Sequence, residues 1–205
     1  MRLDILRTPN LAAANLAQLL LGAAWIPMWY FLNLYLQQVL GFGAFEAGAA
    51  LLPMTVTIMV LMVVAAPRVM ARIGAKAMTV SGLVVLAAGL AGLALARTDG
   101  TFAADVLPAS LIAAAGMALA FIPSLGTAIS SARPEEGGLA SGIVSTAYQV
   151  GSALGLAAMI AITPGDDFTA AFAGAAVVAL AGAVLAAVTL RSARATQASS
   201  QPATA

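Results

Sequence analysis

The chain is 205 residues long, 62% hydrophobic and only 8% charged, against about 25% charged in an ordinary soluble domain, and that balance excludes a water-soluble globular fold. It contains no cysteine and no histidine, which excludes disulfides, thiolate metal sites, imidazole-ligated haem and His-based catalysis, so no cofactor, no metal and no enzymatic activity are expected. The net charge of +1 is too small and too scattered for a nucleic-acid surface.

Charged and turn residues cut the chain into six apolar segments, at about residues 11–38, 47–66, 77–96, 103–130, 138–162 and 168–190. Each reaches the roughly 20 helical residues needed to cross a bilayer core. Their Leu, Ala, Val and Met runs do not alternate as membrane strands must, so the expected fold is an all-α integral membrane bundle of six transmembrane helices. The segment before the first span is short and polar and lacks a small-residue cleavage pattern, so that span is expected to stay in the mature protein. Residues 1–194 read as one transmembrane domain, and 195–205, small and polar, as a disordered tail.

The first span carries a polar and aromatic stripe: Asn15, Gln18, Gly22, Trp25, Trp29, Asn33 and Gln37. At about 100° per residue these positions fall within an arc of roughly 120°. Amide side chains inside a membrane need partners, so the stripe faces either a water-filled cavity or an interhelical hydrogen-bond seam, and the cavity is the expectation adopted here. The second span opens with Glu46, a carboxylate suited to the positive end of a helix. The fourth repeats the stripe more weakly with Ser110, Met117, Phe121, Ser124, Thr127 and Ser131. Hydroxyls of this kind often bond only to their own helix backbone.

Pro134, Glu135 and Glu136 mark the start of the fifth span. It carries Gly138, Gly142 and Thr146, then Gly151 and Gly155, small residues four apart that are expected to let helices approach closely. The sixth does the same with Ala171, Ala175, Ala179 and Ala183. Pro27, Pro53, Pro108 and Pro123 lie inside spans, where they break backbone hydrogen bonds and mark bends. All acidic and basic residues lie in connections or at span ends, so no buried charge marks a proton relay.

With six crossings and a cytoplasmic N-terminus, Arg2, Arg7, Arg68, Arg72, Lys76, Arg133, Arg191 and Arg194 fall on the cytoplasmic side and only Arg97 outside. The positive-inside rule therefore places both termini in the cytoplasm. Phe45 to Gly48 before the second span and Glu135 to Gly138 before the fifth occupy equivalent places in two groups of three, as in an inverted repeat.

Two runs resemble the C-terminal half of a major facilitator superfamily transporter of the fourteen-span drug:proton antiporter family. The first is Leu34-Tyr35-Leu36-Gln37-Gln38-Val39-Leu40-Gly41 leading into Glu46-Ala47-Gly48 and Leu52-Pro53. The second is Gly137-Gly138-Leu139-Ala140-Ser141-Gly142 leading to Gln149-Val150-Gly151-Ser152-Ala153-Leu154-Gly155. Between the spans, Arg72, Gly74 and Lys76 are similar to the superfamily's cytoplasmic loop signature, but Ala71 stands where its aspartate would be and Pro67 where its first glycine would be, so no charge-locked gate is expected.

The resemblance implies a multidrug-efflux type of protein in the cell membrane, exporting hydrophobic, often cationic compounds against proton influx. It makes the first and fourth spans the cavity-lining helices, with Gln18, Trp25, Trp29, Asn33, Gln37, Phe121, Ser124 and Thr127 as substrate-cavity candidates. The expected partners are the lipid bilayer, a small hydrophobic substrate, and a missing N-terminal half or a second copy of the chain. The alternative is a non-transporting membrane protein, a truncated remnant or an assembly subunit.

Overall fold

The computed structural model describes residues 9–96, 101–163, 165 and 167–190. The expected tail at 195–205 and the basic residues Arg2, Arg7, Arg97, Arg191 and Arg194 lie outside them.

The described chain is helical throughout its length apart from short connections. Helix α1 (Pro9–Leu34) runs into a π-helical turn at Tyr35–Val39. A connection containing Gly41, in the left-handed region at φ 71°, leads to α2 (Ala44–Ala50). The Glu46 carboxylate accepts the Gly43 N–H at 3.0 Å and so starts α2. Helix α3 (Leu52–Val60) follows, with Pro53 in its first turn where a missing N–H costs nothing. A π-helical stretch at Leu61–Ala65 joins it to α4 (Ala66–Ala94). A third π-helical segment, Phe102–Val106, opens α5 (Leu107–Ser130), followed by α6 (Gly137–Ile162) and α7 (Thr169–Thr189).

Among the described residues, five helical stretches are long and apolar enough to cross a membrane, and one of them runs for 51 residues from Ala44 to Ala94. At about 1.5 Å per residue such a rod would be more than twice as long as the roughly 30 Å hydrocarbon layer is thick. Gly74 resolves this: it sits at φ 79°, ψ 163°, a backbone region essentially closed to any residue with a Cβ. The stretch is therefore two rods, 44–73 and 75–94, hinged on one glycine, and the five stretches divide into six rods, each about long enough for one crossing. The connection expected at 68–76 contracts to this single residue. Hydropathy marks where the hydrocarbon ends, whereas Arg68 and Arg72 are good helix formers that carry the helix on beyond it.

The order of packing is an inverted repeat. Helix α1 packs chiefly on α5, α6 and α7, while α5 packs on α1, α3 and α4, and α4 packs on α7. Exchanging the first triplet of crossings for the second (first with fourth, second with fifth, third with sixth) maps this pattern onto itself.

Glycine makes the tightest crossings. A Cβ on Gly116 would collide with the Leu86 backbone, and one on Gly82 with the backbone of Leu119 and Ala120. Gly151 lies on the Leu19 carbonyl and Gly155 on that of Ala23. On the other side of the bundle, Ala171, Ala175, Ala179 and Ala183 of α7 are all buried, which matches the expected packing role of that alanine row.

Candidate functional site

The stripe on α1 splits into a sealed part and an open part. Towards its N-terminal end, Gln18 is 1% exposed, and its Nε2 donates to the Phe121 carbonyl and to Ser124 Oγ, each at 3.1 Å. Asn15, 8% exposed, turns its Nδ2 back to the Leu11 carbonyl at 2.9 Å. Gln18 here bonds α1 to α5 in a seam, whereas Asn15 bonds within its own helix. A glutamine amide can reach a neighbouring helix backbone that a leucine would leave alone, so burial and bonding reinforce each other.

Further along α1 the packing opens. Trp25 is buried and lies edge-on to Trp29, with ring centroids 6.1 Å apart. Trp29 and Asn33 are half-buried and Gln37 is exposed. Gln37 donates its Nε2 to Asn33 Oδ1, so the two amides form a pair one turn apart.

On α5, Ser124 is buried while Phe121 and Thr127 are half-buried. The hydroxyls mostly serve their own helix: Thr127 donates to the Pro123 carbonyl at 2.7 Å, Ser110 to Leu107 at 2.8 Å and Ser131 to Thr127. Only Ser124 also joins the seam, accepting from Gln18 while donating to Ala120 at 2.6 Å.

Tyr148 of α6 joins these two helices, a residue that the reading of the sequence passed over. Its ring meets Phe121 edge-on at 5.7 Å, and its carbonyl lies where a Cβ on Gly22 would fall. Gln18, Phe121 and Tyr148 thus mark a node where α1, α5 and α6 converge. The available signal was its isolation: Tyr148 is the one aromatic residue in a span of small and aliphatic side chains.

Of the four glycines expected to pack α6, Gly151 and Gly155 do so against α1, but nothing in the described structure lies within 4 Å of a Cβ placed on Gly138 or Gly142. The reason is phase. Gly142 and Gly151 are nine residues apart, about 180° around a helix. Gly138 and Gly142 instead share an exposed face with Ser145, Thr146 and Gln149. In the loop signature, Gly74 forms the elbow, Arg72 is exposed beside it and Lys76 is half-buried.

Comparison with known sequences decides the lineage. The family model described as Major Facilitator Superfamily matches residues 2–156. This chain belongs to the Major Facilitator Superfamily. Among the curated members of the superfamily similar to it, the cephamycin export protein CmcT of Amycolatopsis lactamdurans is 32% identical over 187 residues, 86% of this chain and 38% of the relative. The multidrug efflux pump LfrA of Mycolicibacterium smegmatis is 31% identical over 184 residues, covering 82% of this chain and 35% of its own length. The puromycin resistance protein pur8 of Streptomyces alboniger is 31% identical over 140 residues, 67% of this chain and 28% of the relative. The chain therefore spans between a quarter and two-fifths of the length of these superfamily relatives. A multi-pass membrane protein of this superfamily, similar to drug export and resistance proteins, is what the helices and the comparisons together establish.

Proposed function

We propose that this chain forms the C-terminal half of a proton-coupled exporter of hydrophobic compounds, working by alternating access against an N-terminal half. The observation that carries the proposal is the chemistry of the two outer surfaces. On α7 the exposed large side chains are Val177, Leu180, Val184, Leu185 and Val188, all aliphatic, as lipid contact demands. One face of α6 instead exposes Ser145, Thr146 and Gln149, and the π-helical turn after α1 exposes Gln37, with Asn33 of α1 half-open beside it. Hydrocarbon offers such amides no partners, whereas a watered cavity between two halves does.

In this reading Trp29, Asn33, Gln37, Phe121, Thr127 and Tyr148 face the substrate, while the buried Gln18, Trp25 and Ser124 hold the wall in place. Aromatic rings give a lipophilic cation both apolar contact and a negative π face. The relatives' share of matched length supports a missing half, and the basic residues support cytoplasmic termini.

Co-expression of the chain with the preceding spans of an exporter of this type, followed by ethidium efflux from energised vesicles, tests the proposal. Efflux is expected to require both parts and a proton gradient, and Trp29→Ala and Gln37→Leu are expected to lower it while leaving the amount of inserted protein unchanged. Gradient-independent equilibration, or normal efflux in both variants, would overturn it.

A further inference from the structure

Around the α1–α5 seam, two buried hydrogen-bond acceptors carried by α1, Asn15 Oδ1 and Gln18 Oε1, have no donor among the described residues. Neither can be rescued by rotating its amide. The Asn15 Nδ2 is fixed by the Leu11 carbonyl, and the Gln18 Nε2 by the Phe121 carbonyl; turning either group would set oxygen against oxygen. A buried acceptor left empty is costly and uncommon, and where one occurs an internal water is the usual answer.

The two residues are three apart on one helix, with Cβ atoms about 5–6 Å from each other, so their amides are neighbours and one water with hydrogen bonds of about 2.8 Å can serve both. We propose that a single water molecule is held in this seam, donating one hydrogen to Asn15 Oδ1 and the other to Gln18 Oε1.

The chemistry selects a neutral donor. A sodium ion would want about six oxygen ligands and a compensating carboxylate, and here there are two neutral oxygens, with every acidic residue in a connection or at a span end. A transported compound is equally excluded by burial, since Gln18 is 1% and Asn15 8% exposed. The inference does not depend on the transport reading: it concerns how the seam is completed, and it stands or falls separately.

Water-edited solid-state NMR on the full isotope-labelled chain in phospholipid bilayers tests it. Magnetisation is expected to pass from water to the side-chain carbonyl carbons of both Asn15 and Gln18, while the backbone amides of Ala14 and Ala17 stay protected from exchange into D2O. In Gln18→Met the transfer to Asn15 is expected to be lost as well, because the water is shared; Asn15→Leu provides the reciprocal measurement should that variant fail to insert. Absence of transfer in the unmodified chain overturns the proposal. Undiminished transfer to the remaining amide in either variant overturns the shared water. Replacing sodium chloride with choline chloride is expected to leave both signals in place, and their displacement would overturn the neutral donor in favour of a cation.

Discussion

At the scale of single residues, what a polar or small side chain does in this bundle depends on its angular position to within about one residue. Gly142 and Gly151 have the same chemistry on the same helix, yet one faces open space and the other lies against the Leu19 carbonyl. Gly151→Val should therefore cost on the order of 1–3 kcal/mol or abolish assembly, as overpacking does when the obstacle is backbone, whereas Gly142→Val should leave stability within about 0.5 kcal/mol, as at an open surface site. Denaturant titration in mixed micelles, following tryptophan emission, distinguishes the two. The same angular reasoning shows what was legible beforehand. The 180° offset between the two glycine pairs is present in the sequence, but a four-residue spacing says only which glycines share a face, not which face meets a neighbour. Gln18 was different in kind. Its spacing placed it on the right face, but whether that face met water or the Phe121 carbonyl depends on how far α5 stands from α1, and spacing along one helix carries no information about that distance.

At the scale of elements, the helices run past the apolar segments in places, most clearly from residue 66 on to residue 73, and this changes how they join. The second and third crossings meet at Gly74 without a loop, because the helix runs past the apolar stretch until the backbone adopts a conformation that only glycine takes up freely. Space is not the constraint, since nothing lies within 4 Å of a Cβ there. Gly74→Ala should thus cost about 1–3 kcal/mol purely through backbone strain, with the loss appearing as a lowered thermal midpoint and no new steric clash. A substitution at the exposed neighbour Ala71, Ala71→Ser, should change the midpoint far less, since it leaves the elbow untouched. If the two variants behave alike, the elbow is not what holds these rods at their angle. The π turns at Tyr35–Val39 and Phe102–Val106 gave no sequence signal; one follows the end of α1 and the other begins α5, and Phe42 and Phe102 meet between them at 6.0 Å.

At the scale of the whole molecule, the outer surface of α7 is aliphatic while one face of α6 carries Ser145, Thr146 and Gln149, and this contrast is open to direct measurement. In membranes where the preceding spans are also expressed, Ser145→Cys and Gln149→Cys should react with a water-soluble maleimide, and Val184→Cys should remain unlabelled. Equal protection of all three would mean that the α6 face is covered, and equal labelling that the bundle is not seated as the aliphatic belt requires. The packing order has a consequence for biosynthesis. Because α1 finds its main contacts on α5, α6 and α7, it has almost nothing of its own triplet to lie against when it leaves the ribosome. It must wait in the membrane until the last crossings arrive, so nascent chains halted after the third crossing should keep α1 accessible to insertion factors and proteases, and the bundle should close late, in one step, when α7 is released.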